Sequence, residues 1–297
     1  MNYKIVVWGL GSVYNRHLNL LKYYEFNAQF QVVALTATKI PRYDIIDEYP
    51  VIKADSLFEI AFDYIIVMND KNYKEIMNEA INQGIPKEKI LPYRILEIPY
   101  LKFDEYIRLK ESNISIISNN CWGGMVYYTL GIECCSPFKN LFLEDSDYIK
   151  LLENIYDYLS LDLKFLRYDI DMHSHKKYPV MELGDVLVHC NHDSEPEFAI
   201  KSWKRRREKI NYNNLFIEMY TVNEKVADRF LELKQYSKKI CFTPFKKKSK
   251  EIIQLSLYPG QKEFYEVVNS TAGIGSNSLD YRILDLLNGR VVYRKDL

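Results

Sequence analysis

The chain has 297 residues, with 40 lysines and arginines against 40 aspartates and glutamates, and 47% apolar side chains. Zero net charge excludes a nucleic-acid binder held by bulk electrostatics, and the apolar share excludes a disordered chain. The length suits two domains, each with its own core.

Met1-Asn2-Tyr3-Lys4 runs straight into an apolar strand over residues 3–8, without a leader-type apolar segment or a small-residue cleavage site. No run approaches the ~18 apolar residues of a membrane span. Five cysteines without a framework spacing predict free thiols in a reducing compartment. The expectation is a cytoplasmic protein with no integral membrane segment. Gly9-Leu10-Gly11-Ser12 follows the strand, and Asn15 to Tyr24 reads as a helix. Strand, glycine turn and helix form the first unit of a nucleotide-binding α/β domain. Gly9, Gly11 and Ser12 are therefore the candidate cofactor-binding residues. The third glycine place of the dinucleotide pattern holds Tyr14, and the second strand, Gln31 to Leu35, runs into Thr36-Ala37-Thr38 with no carboxylate for a ribose. A nucleotide or sugar nucleotide at the helix N-terminus fits better than NAD. The alternative is a scaffold whose glycines only shape the turn. His17 on the first helix reads as a packing or surface residue. A strand from Asp63 to Met68, a helix from Tyr73 to Gln83 stopped by Gly84 and Pro86, and a short strand at 89–92 complete a Rossmann-like parallel domain over residues 1–98.

Tyr93 to Glu111 reads as a helical connector, and residues 99–297 as a second α/β domain with a mixed sheet. Ile114 to Ser118 forms a buried strand that Asn119-Asn120 breaks. Cys121, Trp122 and the Gly123-Gly124 pair lead into a helix from Met125 to Leu130, with Gly131 as its C-cap. A helix from Ser146 to Leu161 and an extended stretch from Leu163 to Asp171 follow. Val186 to Cys190 is the clearest strand of this domain and ends in Asn191-His192-Asp193. Four of the five histidines lie between positions 173 and 192. A helix from Glu195 to Lys209 carries Trp203 and the run Lys204-Arg205-Arg206-Arg207. Strands are expected over 215–220, 239–243 and 252–257, with a helix from Asn223 to Gln235. A short helix at 261–268, a helix from Ser278 to Leu287 and a strand at 291–293 close the chain.

A cysteine between a strand end and a helix start sits where backbone N–H groups and the helix dipole favour a thiolate. Cys121 is the candidate nucleophile, and the plain alternative is a small buried residue in a tight turn. An adjacent imidazole takes the thiol proton and returns it. His189, inside its strand, and His192, just beyond it, are the candidate bases. Asp193, Asn191 or Asp185 could orient the ring, as the third group of a triad does. Candidate substrate contacts are Asn119, Asn120, Trp122 and Gly123 around the cysteine, with Trp203 and Arg206 on the basic helix meeting an anionic ligand. The histidine spacing matches no zinc signature, and no metal is assigned.

The run Ser118-Asn119-Asn120-Cys121-Trp122-Gly123-Gly124, then Leu130-Gly131 and Ser136-Pro137-Phe138-x-Asn140-Leu141-Phe142, resembles a bacterial family of unknown function whose members are often labelled exopolysaccharide biosynthesis proteins. The resemblance continues through Tyr178-Pro179, Val188-His189, Ala199-x-x-x-Trp203-x-x-Arg206 and Ile210-Asn211-x-x-Asn214, over roughly residues 114–245. It implies surface-polysaccharide biosynthesis and little chemistry. A weaker likeness to papain-like hydrolases and transferases, where a cysteine opens a helix and a histidine comes from a later strand, is analogy. The expected function is a cysteine-dependent acyl-type transferase or hydrolase acting on a sugar nucleotide or glycan precursor. The alternative is a non-catalytic nucleotide- or sugar-binding partner protein. The oligomeric state is not set by the sequence.

Overall fold

The structure is a computed structural model that describes residues 3–39, 42–255, 264, 266 and 280–290. It divides into two compact units, residues 1–108 with 129–131, and residues 109–128 with 132–297.

The N-terminal unit starts with β1 (Tyr3–Trp8), α1 (Ser12–Phe26) and β2 (Phe30–Thr36). Two short strands, β3 (Ile45–Ile46) and β4 (Tyr49–Pro50), form a small antiparallel pair too brief to leave a periodic signal. Then come β5 (Tyr64–Val67), α2 (Tyr73–Asn82), β6 (Ile90–Pro92) and α3 (Phe103–Glu111). The main sheet is parallel, in the order β2-β1-β5-β6. Ile5, Val6, Val7 and Trp8 have no exposed surface, as expected of a central parallel strand covered on both faces. Val6, Trp8, Ala34, Ile65, Val67 and Ile90 pack with Leu57, Ile76 and Ala80 in one core.

The chain leaves β1 through Gly9, whose φ is +114°. A Cβ there would lie 3.0 Å from the Met68 carbonyl oxygen, so the turn accepts glycine alone. α1 starts earlier than its apolar pattern suggests, because the Gly11 carbonyl already accepts from Asn15 N at 3.1 Å. Tyr14, at the third glycine place, is buried and its hydroxyl donates to Asp47 at 2.9 Å. His17 is buried too, with Nδ1 2.8 Å from the Val13 carbonyl and Nε2 2.8 Å from Glu97.

The C-terminal unit contains β7 (Ser115–Ser118), α4 (Trp122–Leu130), α5 (Asp145–Glu153) and α6 (Ile155–Ser160). β8 (Lys164–Ile170), β9 (Lys177–Leu183) and β10 (Val186–His189) come next, then α7 (Pro196–Arg207). β11 (Leu215–Tyr220), α8 (Glu224–Glu232), β12 (Lys239–Thr243), β13 (Ile252–Gln254) and α9 (Ile283–Leu287) complete the described part. The expected mixture of strand directions is sorted into two sheets. One is parallel, β13-β12-β11-β7, and the other antiparallel, β10-β9-β8. The single helix expected over 146–161 breaks at Asn154, where φ is −139° and ψ is 48°. The strand expected at 291–293 and most of the helix expected at 261–268 lie outside the described residues. Among the described residues no helix is long and apolar enough to cross a membrane.

Candidate functional site

The site grows from the ends of two neighbouring parallel strands. β7 pairs with β11 so that Ser118 stands opposite Glu218. Beyond Ser118 the chain leaves the sheet, and side chains replace the ladder. Asn119 Nδ2 donates to the Tyr220 carbonyl at 3.1 Å, and Tyr220 N donates to Asn119 Oδ1 at 3.1 Å. Asn120 Nδ2 donates to Asn119 Oδ1 at 2.8 Å and to Glu218 Oε1 at 3.1 Å. Asn120 Oδ1 accepts from Trp122 N at 2.8 Å, which satisfies the first amide of α4. The two asparagines therefore anchor the start of the helix as well as turning the chain.

Cys121 sits immediately before α4, and its carbonyl accepts from Met125 N at 3.1 Å. Its Sγ lies 3.2 Å from Nε2 of His192. The thiol belongs to the wall of a pocket of about 590 Å³. Asn119, Asn120, Asn191 and Thr221 also line it, with the aromatic residues Phe142, Tyr178 and Tyr220 and the carboxylates of Glu144, Asp145 and Asp171. Burial, with the Glu218 charge second, pushes the Cys121 thiol up to about 11. Burial pushes Glu218 up to about 8, against the opposing hydrogen bond from Asn120. Asp145 is raised by burial, which outweighs its bond from the Thr221 hydroxyl at 2.5 Å. Asp193 is raised by burial, while Arg206 and His192 favour its charged form.

The two candidate histidines separate. His192 meets the thiol. His189 is buried, its ring stacked on Phe142 at 4.3 Å and 15°, with Nδ1 3.3 Å from the Tyr178 hydroxyl. Its backbone bridges Phe142 in both directions, at 2.9 and 3.0 Å. Burial lowers its pKa. His189 thus packs behind the pocket-lining Phe142 and Tyr178, and it is His192, beyond β10, that meets the sulfur.

Residues 93–287 match the family described as "Domain of unknown function (DUF1919)". The chain belongs to this family. Residues 1–91 match a second family, described as "C2185-like, N-terminal". An uncharacterized protein of Haemophilus influenzae (strain ATCC 51907 / DSM 11121 / KW20 / Rd) is 30% identical over 160 residues, 54% of this chain and 70% of the relative.

Several substrate contacts expected in the DUF1919 region are instead structural. Trp122 has no exposed surface; its Nε1 donates to the Tyr281 hydroxyl at 3.0 Å and its ring packs on Phe216 and Phe242. A Cβ on Gly123 would lie 2.8 Å from Ser118 Oγ, so this glycine lets α4 close on β7. Trp203 is buried edge-on against Phe138 within the core. The reason is its helical spacing: Ala199 and Trp203, four apart, form the inward stripe of α7. Arg206 Nη1 donates to the Lys139 carbonyl at 3.2 Å and does not line the pocket. Its basic neighbours Lys204, Arg207 and Lys209 meet local acids. Lys204 and Arg207 both pair with Asp162, at 3.6 and 3.3 Å, and Lys209 pairs with Glu133. The sequence reading missed Glu218. Its signal was a lone carboxylate in the apolar run Leu-Phe-Ile-Glu-Met-Tyr.

In the N-terminal unit a crevice of about 770 Å³ opens at the carboxyl end of the sheet. Gly9 and Gly11 line it, whereas Ser12 is exposed as the first residue of α1. Lys39, Thr38, Asn69 and Asn72 face the same space, together with Glu75 and Glu79 on α2. Those two carboxylates weigh against a phosphate on that wall. Among the described residues no group of three or more His, Cys, Asp or Glu side chains is arranged to hold a metal ion.

Proposed function

We propose that the DUF1919 region is a cysteine-dependent acyl-type transferase or hydrolase, with Cys121 as nucleophile and His192 as its base. The observation that carries this reading is the 3.2 Å contact between Sγ and Nε2 at a pocket wall. His192 takes the thiol proton as the sulfur attacks an acyl carbonyl. The imidazolium then protonates the leaving group as the thioester forms. In the second half His192 takes a proton from water or an acceptor hydroxyl, which attacks the thioester and releases Cys121 as a thiol. The pocket chemistry supports a carbohydrate-bearing partner: carboxylates accept from sugar hydroxyls, and aromatic residues offer apolar faces. The motif resemblance supports seeking that partner among cytoplasmic glycan precursors of surface polysaccharides. We read the N-terminal unit as Rossmann-like and its crevice as the place for a sugar nucleotide. Calorimetric titration of the full chain with a nucleotide-sugar panel tests that part, and no heat across the panel leaves the unit a scaffold.

One observation favours a second reading, a non-catalytic nucleotide- or sugar-binding partner protein. Burial holds the Cys121 thiol at about 11, far from the thiolate that attack requires. Limiting iodoacetamide near neutral pH, read by mass spectrometry, separates the two. The catalytic reading expects Cys121 to be labelled first among the five cysteines, and His192→Ala to slow that labelling. Indiscriminate labelling leaves the binding protein.

A further inference from the structure

We propose that Glu218 is a positioning residue that works through its proton. As a neutral acid it steadies the Asn120 cap of α4, and on ionising it suppresses the Cys121 thiolate. The proposal rests on Cys121 acting as the nucleophile.

Glu218 has no exposed surface and lies on β11, between β7 and β12. A carboxylate in such a place needs full hydrogen bonding or a proton. Oε1 accepts from Asn120 at 3.1 Å, but Oε2 has no hydrogen-bond partner. Ser118 Oγ, on the residue facing Glu218 across the strand pair, is also buried without a partner. A hydroxyl both donates and accepts. One proton on Oε2, donated to Ser118 Oγ, removes both deficits. The titratable groups that sense Glu218 are Cys121 before α4, Tyr148 on α5 and Cys241 on β12. The Tyr148 hydroxyl is committed to the carbonyls of Ile117 and Glu218, at 2.7 and 2.8 Å. The direction of the Glu218 shift, upward through burial, agrees with a retained proton.

The acid reaches the nucleophile by two routes. Glu218 fixes the Asn120 amide, whose oxygen holds Trp122 N, the amide directly after Cys121. Its negative charge, once formed, raises the proton affinity of the thiol in the same sense as burial does. Glu218→Gln reproduces the neutral acid in both bonds and cannot ionise. Glu218→Ala removes the acceptor for Asn120.

The test uses the full chain. Iodoacetamide alkylation of each cysteine is followed across pH by mass spectrometry, and the carbonyl stretch of a buried protonated carboxyl by infrared difference spectroscopy. In the parent protein the acid band should be present at neutral pH and vanish in mildly alkaline solution; in Glu218→Gln it should be absent. Glu218→Gln should keep the neutral-pH rate of Cys121 and lower its apparent thiol pKa by on the order of one unit. Glu218→Ala should slow Cys121 several-fold relative to Glu218→Gln at every pH, since the two differ only in the acceptor for Asn120. A missing acid band in the parent, or superimposable Cys121 profiles for parent and Glu218→Gln, overturns the proposal while leaving the nucleophile intact. If Cys121 reacts no faster than the buried Cys190 and Cys241 in every protein, the catalytic reading itself fails, and this proposal with it.

Discussion

Asn119→Ala tests whether side chains hold the site backbone together. Asn119 is buried and joins the ends of β7 and β11 through both backbone groups of Tyr220, each at 3.1 Å. Its Oδ1 also accepts from Asn120 at 2.8 Å. Alanine leaves the Tyr220 N–H and C=O without that partner, at ~1–3 kcal/mol for each buried group. Two such groups give ~2–6 kcal/mol. Because Asn119 borders the pocket, water can reach part of the gap, so the expected loss is ~3 kcal/mol. Asn119→Asp keeps an acceptor for Tyr220 N, loses the donor to Tyr220 O, and sets a second carboxylate near Asp145, now 3.5 Å from Nδ2. It should cost as much. Urea unfolding is best followed by tryptophan fluorescence in a Trp8→Phe background. The remaining signals, Trp122 and Trp203, both come from the C-terminal unit. That choice avoids fitting one transition to a chain of two units. A loss below ~1 kcal/mol would show that the strand ends are held by something other than this amide.

Trp203→Ala should destabilise the same unit by ~3–5 kcal/mol in that assay, because the ring is buried against Phe138 in the core. Arg206→Ala should cost less than ~1 kcal/mol and leave the Cys121 labelling rate unchanged, since the guanidinium meets the Lys139 carbonyl outside the pocket. Folded His189 resists protonation, so the unfolded chain binds that proton first. Stability should then fall as pH drops through 6.5, and His189→Gln should flatten this acid limb. Glu218 has the opposite sign. Its folded form keeps a proton up to about 8, its unfolded form loses it above 4.5, and the unfolding free energy from urea titrations should fall as pH rises across that window at up to ~1.4 kcal/mol per pH unit. Glu218→Gln should remove that slope.

The parts legible in sequence were those where one local signal dominated. β1, β5, β11 and β12 are short apolar runs with polar or glycine boundaries, and the structure builds strands there within a residue or two. The break at Asn154 was hidden because the apolar period runs through Leu152, Ile155 and Leu159 without a breaker. β9 was missed because Pro179 argues against a paired strand, yet this proline still offers its carbonyl to Cys190 N at 3.0 Å. Trp203 beside arginines read as a ligand surface, although Ala199 one turn earlier marked the inward stripe. Near Cys121 the residue types pointed to two histidines. Choosing between them needed the turn beyond β10, which no spacing rule fixes. Glu218 stayed invisible as a partner because its role depends on register with Ser118, about a hundred residues away.

The contact between Cys121 and His192 is therefore not the ready-made ion pair that a strand-to-helix cysteine suggests. With the thiol at about 11, reaching the thiolate at pH 7 costs four pH units, ~5 kcal/mol. The resting sulfur is a neutral thiol 3.2 Å from Nε2 of His192. Such a thiol is protected from casual oxidation and becomes a nucleophile only as its proton leaves. His192 is exposed, whereas the sulfur lies deeper, where a charge on it is poorly solvated. On the proposed catalytic reading this burial favours proton transfer concerted with attack, because the thiolate charge would then be passed to the acyl oxygen instead of being stored on the sulfur. The ionisable group beneath the sulfur decides how steep that step is. A protonated Glu218 adds no charge, whereas an ionised one opposes every anion formed above it.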